Sequence, residues 1–308
     1  MDHLKEAPDY LQDDHLSRGT KAYLKVLNGG APVESLPVGE ARRVLTDVQA
    51  AVHVDLSGIE ESERTVESEG YTLRLNLVRP SGAGRVHLPA FVFIHGGGWV
   101  LGDYPTHRRL VRDLVVESGC AAVFVNYTPS PEAHFPKAVE EVYAAVKWVA
   151  ENGREIGVDG SRLALAGNSV GGTLVLMWPV TDAGYDWDSY VKYGRQRFLT
   201  APLMKWMFGK YVSDPAQRGN DLMSPVRASA ERLRGLPATL IVVAENDILR
   251  DEGEAMGRRL DEAGVEVTTV RFNGVVHDWG MLNGFAALHP TRTLIRLVGS
   301  VLRDYLEK

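Results

Sequence analysis

One short stretch of the sequence has the residue types and spacing of a catalytic serine. An apolar run at 163–166 ends in the pentapeptide Gly-Asn-Ser-Val-Gly at 167–171, centred on Ser169. In a Gly-x-Ser-x-Gly pattern of this kind the chain turns sharply at a strained serine, so that Oγ projects, and the two glycines leave room for the crossing strand and helix. The pentapeptide also occurs in ordinary loops. The rest of the chain must therefore decide between the two interpretations.

A serine nucleophile needs a base beside its hydroxyl. Of the nine histidines, His277 follows a predicted strand at 265–272 after an Asn-Gly turn, where a loop residue can reach the end of a neighbouring strand. His289 instead stands beside Pro290, where the last helix is predicted to begin. We therefore predict that His277 is the base and that His289 is structural.

The base in turn needs an acid that orients it. Asp247 follows a buried strand at 238–244, and more carboxylates come directly after it. Asp251, with Glu254 three residues later, is typical of a capping box and is therefore assigned to the start of a helix. The acid is then Asp247. The carboxyl ends of parallel strands meet at one edge of a sheet, and the chain order is that of an α/β-hydrolase triad: Ser169, Asp247, His277.

A glycine-rich run supplies candidates for stabilising an oxyanion. The residues His-Gly-Gly-Gly-Trp at 95–99 follow a buried strand at 90–94, and a triple glycine lets backbone amides approach a ligand. Such a loop also suits phosphate, but the sequence has neither Gly-x-x-x-x-Gly-Lys nor Gly-x-Gly-x-x-Gly, which disfavours nucleotide binding. We interpret His95 as a residue that fixes the loop, not as the base.

Composition narrows the class of protein. The chain has 308 residues and a formal net charge of −6 without a basic block, which makes nucleic acid an unfavoured partner. Its single cysteine, Cys120, precedes an apolar run and excludes an internal disulfide and a multi-cysteine metal site. The first residues are polar and acidic, and no apolar run is long enough to span a membrane. We expect a cytoplasmic protein.

Strands and helices alternate along most of the chain, and the strands are apolar throughout. This pattern predicts an α/β fold with a mostly parallel sheet covered on both faces. The strands are predicted at 71–77, 90–94, 121–127, 163–166, 238–244 and 265–272, and the helices at 21–27, 40–52, 106–118, 136–156, 251–263 and 291–306.

Two regions lie outside this alternation. Residues 1–52 carry helical signals without a strand, and residues 180–227 are rich in aromatic side chains and methionine, with Thr200 as a predicted cap of a helix at 201–212. Some of these side chains must pack in the core. The arrangement also fits a cap that lines an acyl pocket. We predict an N-terminal cap segment at 1–52 and a catalytic domain at 53–308 with a cap insertion at about 180–227.

Taken together, the motifs resemble those of the hormone-sensitive-lipase-like α/β-hydrolases, which include many bacterial carboxylesterases. The matching motifs span roughly residues 70–300 in the family's order. The resemblance implies an α/β-hydrolase fold with a helical cap and no cofactor. It implies these roles: Ser169 as nucleophile, His277 as base, Asp247 as its orienter, and the amides of Gly97, Gly98 and Val170 as oxyanion donors.

The chain departs from the family after the elbow. Only Gly-Gly-Thr at 171–173 separates the elbow from a strand-like run that family members reach through a full helix and a loop. A parallel crossover needs about a dozen residues. We therefore predict that 170–178 forms a shortened helix stopped at Pro179, with one strand lost from the sheet and a poorly covered flank. Alternatively, 174–178 stays a strand and a distorted elbow misplaces Ser169.

The predicted function is that of a serine carboxylesterase. Ser169 attacks a short-chain acyl ester, and Trp99 with the cap aromatics lines an apolar pocket of limited size. The alternative is a catalytically silent ligand-binding protein on the same fold, as in the plant gibberellin receptors, because of the shortened segment after Ser169. The partner is a small-molecule ester, without nucleic acid or membrane, and the strand at 265–272 is a candidate edge for a homodimer.

Overall fold

A single eight-stranded sheet forms the centre of the protein in the computed structural model, which describes residues 6–171 and 175–307. The strands are β1 Ile59–Ser68, β2 Tyr71–Pro80, β3 Leu88–Ile94, β4 Ala121–Asn126, β5 Val158–Asn168, β6 Val175–Met177, β7 Thr239–Asn246 and β8 Val267–Val276. The helices are α1 Arg18–Leu27, α2 Val38–Ala50, α3 Tyr104–Ser118, α4 Lys137–Asn152, α5 Asp188–Tyr193, α6 Ala201–Tyr211, α7 Ala230–Leu233, α8 Arg250–Glu262 and α9 His289–Leu306.

The strand order is β1-β2-β4-β3-β5-β6-β7-β8, and every pairing from β4 to β8 is parallel. The predicted mostly parallel sheet is therefore confirmed. β1 and β2 extend it in antiparallel orientation. The sequence analysis missed β1 because nearly all of its side chains are exposed and many are acidic, so that the strand lacks an apolar pattern.

Helices cover both faces of this sheet. One face carries α3 and α9 over a continuous apolar cluster that includes Phe91 and Phe93. The other face carries α4 and α8 over two separate clusters, with Val92 under α4 and Val243 beside α8. Side chains of a strand alternate between faces, so Val92 lies on the face opposite to Phe91 and Phe93. The two clusters of this second face lie on its two halves.

The predicted loss of a strand after Ser169 is wrong. β6 lies between β5 and β7 and pairs with both in parallel, with Val175 opposite Ala166 and Met177 opposite Asn168. Because β6 pairs only with the last three residues of β5, the chain runs back by only about 10 Å, at ~3.3 Å per residue, and needs no helix to do so. The predicted shortened helix at 170–178 is reduced to a single 3-10 turn, Ser169–Gly171, and 172–174 lie outside the described residues.

The short connection leaves part of the central strand open. Leu163 and Leu165 on β5 face the half of the sheet beneath α4 and are only partly buried, because β6 pairs with β5 only from Ala166 onward. Among the described residues, no helix stands between β5 and β6. This is consistent with the poorly covered flank expected from the sequence.

Four α-helices of the described residues lie in the two regions that break the alternation, which are predicted to form the cap. α1 and α2 fall within the first, while α5 and α6 fall within the second, where Thr200 caps α6 as predicted by accepting a hydrogen bond from the Leu203 amide at 3.2 Å. In the part of the chain that the structure describes, no helix has the length and apolar character needed to cross a bilayer.

Candidate active site

The three residues predicted to form a triad meet at the carboxyl ends of their strands. Ser169 follows β5, Asp247 follows β7, and His277 follows β8. His277 Nε2 lies 3.1 Å from Ser169 Oγ, and His277 Nδ1 lies 2.7 Å from Asp247 Oδ2. All three residues are buried. Because a carboxylate only accepts, Nδ1 carries the proton and Nε2 is free to accept one from the serine hydroxyl.

The elbow keeps its geometry although only a 3-10 turn, Ser169–Gly171, directly follows β5 among the described residues. Ser169 has φ 54°, in the left-handed region. A Cβ on Gly167 would lie 1.8 Å from the Gly171 oxygen, and a Cβ on Gly171 would lie 2.0 Å from the Ile94 oxygen. Backbone packing therefore requires both glycines. The alternative is right that a strand remains within 174–178, as β6, but wrong that the elbow is distorted.

Asp247 lies in the loop after β7 as predicted, but α8 does not begin as predicted. Asp247 also accepts a hydrogen bond from the Leu249 amide at 3.0 Å through Oδ1, which fixes its side chain in the loop. The predicted capping box at Asp251 is wrong, because α8 begins at Arg250 after Leu249 and has no side-chain cap. Asp251 instead accepts a hydrogen bond from the Ser189 amide at 2.8 Å and so connects α8 with the cap.

Two carboxylates act on the catalytic histidine. Burial favours neutral His277, but the negative charges of Asp247 and Asp278 outweigh it and raise the pKa of the imidazole above its ordinary value. Asp278 Oδ2 lies 3.8 Å from His277 Nε2. Burial in turn raises the pKa of Asp278. A positive charge on His277 is therefore stabilised from two sides.

The glycine run lines the cavity beside Ser169, as an oxyanion hole would. Gly97 and Gly98 have φ 108° and 62° and line the same cavity as Ser169. A Cβ on Gly97 would lie 2.2 Å from the Leu101 oxygen, which explains why only glycine fits. Within residues 6–171 and 175–307, no protein group accepts a hydrogen bond from the Gly97 or Gly98 amides. Val170 follows the serine in the 3-10 turn.

A polar chain that the sequence analysis did not assign connects the parts of the site. Asn168 Oδ1 accepts a hydrogen bond from the Gly96 amide at 3.0 Å, and Asn168 Nδ2 donates to Asp278 Oδ1 at 3.0 Å. The Trp178 indole donates to the same Oδ1 at 2.6 Å. Asn168, which precedes Ser169, and Asp278, which follows His277, thus fix the glycine run. Their positions next to the triad were the one signal available.

His95 is a neutral structural residue. Its Nδ1–H donates to the Gly96 oxygen at 2.8 Å, and its ring stacks on Phe124 and Tyr127. Burial lowers the pKa of His95 to about 4 and that of the adjacent His107 to about 3. This placement agrees with the interpretation that His95 fixes the loop.

Side chains from two other elements hold the loop after His277. Arg109 on α3 is buried and donates to the oxygens of Gly280 and Met281 at 2.6 and 2.7 Å. Gln49 on α2 accepts a hydrogen bond from the Asn283 amide at 2.8 Å. A cap helix and a core helix therefore converge on one loop, through residues too far apart in sequence for a motif to reveal.

The catalytic groups open into a cavity of about 510 Å³. One wall is the apolar face of α2, and the other is formed by the cap from Gly194 to Met207. Trp99 is outside the lining found among the described residues; it is buried and stacks on Tyr211 with ring centres 4.2 Å apart. The described residues contain no group of three or more His, Cys, Asp or Glu side chains suited to a metal ion.

Comparison with known proteins agrees with this geometry. The sequence profile of a family described as an alpha/beta hydrolase fold matches residues 91–177 and 173–281, two segments that overlap at 173–177. The chain is 31% identical to an ethyl acetate hydrolase from Pseudomonas putida over 293 residues, covering 84% of this chain and 90% of that protein. It is 30% identical to an arylesterase from Saccharolobus solfataricus over 285 residues, covering 86% and 90%.

A solved structure shares a higher sequence identity with this chain than these two relatives do. The crystal structure of a thermostable esterase from Pseudomonas putida superposes with a TM-score of 0.93 at 48% identity, covering 96% of this chain and 98% of that one. Fold, sequence and site agree, and the chain belongs to the hormone-sensitive-lipase-like family of α/β-hydrolases.

Proposed function

We propose that the protein is a serine carboxylesterase that hydrolyses short-chain acyl esters through an acyl-enzyme on Ser169. One observation carries the proposal: the hydrogen bonds of 3.1 and 2.7 Å that join Ser169, His277 and Asp247 at the base of a cavity. The names of its relatives, ethyl acetate hydrolase and arylesterase among them, support ester hydrolysis.

In the proposed mechanism His277 Nε2 takes the hydroxyl proton as Ser169 Oγ forms a bond to the ester carbonyl carbon. The negative charge on the carbonyl oxygen is stabilised by the amides of Gly97, Gly98 and Val170. The imidazolium then protonates the leaving alcohol, and the C–O bond of the ester breaks. Water, deprotonated by His277, attacks the acyl-enzyme and releases the acid and free Ser169. No step of this reaction calls for a cofactor.

The pocket supports small neutral substrates. The lining is mostly apolar, with Val44, Leu45 and Val48 from α2 opposite Leu199 and Leu203 from the cap. The carboxylate of Asp278 also lines it, which disfavours an anionic group near His277. A direct contact between Trp99 and substrate gains no support from this lining. Trp99 is better assigned to supporting the cap.

The alternative, a silent binding protein, depended on displacement of the nucleophile by the shortened connection. The hydrogen bond between Ser169 and His277 argues against that displacement. A cytoplasmic location and a homodimer through the edge strand β8 stay predictions. The isolated bridge between Leu16 and Gly274 already occupies one end of that edge.

Labelling with a fluorophosphonate probe, read by intact mass, tests the proposal. We expect one adduct on the wild type and none on Ser169→Ala, with circular dichroism showing that both are folded. Turnover of p-nitrophenyl acetate should fall by ~10⁴- to 10⁶-fold in the variant, as in other triads. A folded wild type that takes no adduct would favour the silent binding protein.

A further inference from the structure

One wall of the catalytic cavity is a loop with an unusual backbone. Gln196, Phe198 and Leu199 all line the cavity. Gln196 and Phe198 have φ 58° and 69°, in the left-handed region that residues with a side chain seldom adopt. Conformations of this kind persist only where the surroundings hold them. The contacts of the loop therefore determine the shape of the wall.

Between the two strained residues lies a buried ion pair. Arg197 Nη2 donates to Asp13 Oδ2 at 2.7 Å and to the Pro8 oxygen at 2.9 Å. Both charged side chains are only 2% exposed. A buried charge without its partner is strongly unfavourable, so that Arg197 keeps this position only while Asp13 faces it.

The same N-terminal segment makes the neighbouring contacts of the loop. Gln196 Nε2 donates to Asp9 Oδ2 at 3.1 Å, and the Tyr10 amide donates to Gln196 Oε1 at 3.4 Å. The Ala7 amide donates to the Lys192 oxygen at 2.8 Å, just before the loop. Residues 7–13 thus hold the cavity wall from behind, without lining the cavity themselves.

We propose that Asp13 and Arg197 are positioning residues for substrate specificity, whose ion pair fixes Phe198 and Leu199 against the substrate. The inference rests on the proposed function. Loss of the pair lets the loop leave its left-handed conformation and loosens the cavity wall. The catalytic groups follow β5, β7 and β8, so the change affects substrate binding much more than the chemical step.

The test compares Asp13→Asn with two controls. In the wild type the His15 backbone amide donates to Asp13 Oδ1 at 2.9 Å. The asparagine side chain keeps an oxygen for this hydrogen bond but removes the charge that faces Arg197. Glu262→Gln removes an exposed ion pair to Arg259 on α8, with the atoms 3.5 Å apart and neither residue in the cavity lining. Val158→Ala destabilises the buried start of β5, away from the cavity. Arg197→Lys repeats the test from the other side if Asp13→Asn does not fold.

We expect Asp13→Asn to raise KM for p-nitrophenyl hexanoate by about fivefold or more, because the wall is no longer preorganised. The effect should be smaller for p-nitrophenyl acetate, and kcat should stay within about twofold for both. Glu262→Gln and Val158→Ala should leave both KM values unchanged. The rate of labelling by a small fluorophosphonate should also be unchanged in Asp13→Asn.

The dissociation constant of p-nitrophenyl hexanoate in a Ser169→Ala background separates this inference from the proposed function, since it involves no turnover. Asp13→Asn should raise it by about the same factor as KM. An unchanged dissociation constant in folded protein would overturn the inference, and so would an equal rise in Val158→Ala. Failure of the wild type to turn over esters, with the rise in dissociation constant intact, would count against the proposed function alone.

Discussion

Ser169 and His277 are hydrogen-bonded to each other, yet the two sides of the site are held in different ways. The serine side depends on backbone packing, with Gly167 against Gly171 and Gly171 against Ile94. The histidine side depends on side chains that arrive from separate elements, as Arg109 does. Backbone packing leaves no room for an added methyl group, but it is kept although no α-helix stands between the elbow and β6 in the described part of the chain. Side-chain bracing is spread over several partners and should weaken gradually.

The largest expected effect is on the serine side. Gly171→Ala places a Cβ 2.0 Å from the Ile94 oxygen, so that the elbow must move away from β3. We expect kcat/KM to fall by ~10³-fold or more, since loss of one oxyanion donor alone costs ~10²- to 10³-fold. Steady-state kinetics and fluorophosphonate labelling measure it. The control is Gly209→Ala on α6, where a Cβ meets nothing within 4 Å and activity should be retained. A Gly171→Ala enzyme with near-normal activity would contradict the backbone-packing explanation.

On the histidine side the expected loss is smaller and graded. Arg109→Met removes the donors to the Gly280 and Met281 oxygens, and we expect kcat/KM to fall by about 10- to 100-fold as His277 is misplaced. Arg109→Lys, which keeps the charge and one donor, should restore part of the activity. Arg112→Met is the matched control on the same helix, because Arg112 binds Ser57 and Asp55 instead of the loop. Equal losses in the Arg109 and Arg112 variants would mean that the helix, not the loop contact, matters.

The sequence predicted the serine side of the site better than the histidine side. Ser169, Asp247 and His277 were found because each stands at the end of an apolar strand in a recognisable motif. The bracing of His277 by Gln49 and Arg109 joins residues more than 170 positions apart, and no local pattern reports such contacts. The sequence therefore identified the reacting groups, while their positioning became apparent only in three dimensions.

The wrong predictions have local physical causes. The lost strand followed from a rule for crossovers between full-length strands, whereas β6 pairs with only the last three residues of β5. Asp251 matched a capping box in sequence, but the turn made by Asp247 with the Leu249 amide starts α8 one residue earlier. In both cases a tertiary or neighbouring contact overrode a local pattern.

The pH dependence of activity tests the carboxylate beside the base. Asp278→Asn keeps acceptors for Asn168 Nδ2 and the Trp178 indole, but removes the charge 3.8 Å from His277 Nε2. His277 must be neutral to accept the serine proton, and Asp278 raises its pKa, so the wild type loses activity on the acid side from a higher pH. We expect the acid limb of kcat/KM to move to lower pH in the variant, with little change at the plateau. An acid limb that stays in place would assign the raised pKa to Asp247 alone.

The smallest expected effect concerns the open part of β5, behind the serine. Leu163 is only partly buried, because β6 pairs with β5 only from Ala166 onward, whereas Leu75 on the same face of β2 is fully buried. Leu75→Ala should cost ~2–5 kcal/mol in the free energy of unfolding, and Leu163→Ala about 1 kcal/mol, since less apolar surface leaves water there on folding. Urea unfolding of both variants measures the difference, and kcat/KM should be unchanged in Leu163→Ala. Equal losses of stability would show that Leu163 is covered in solution.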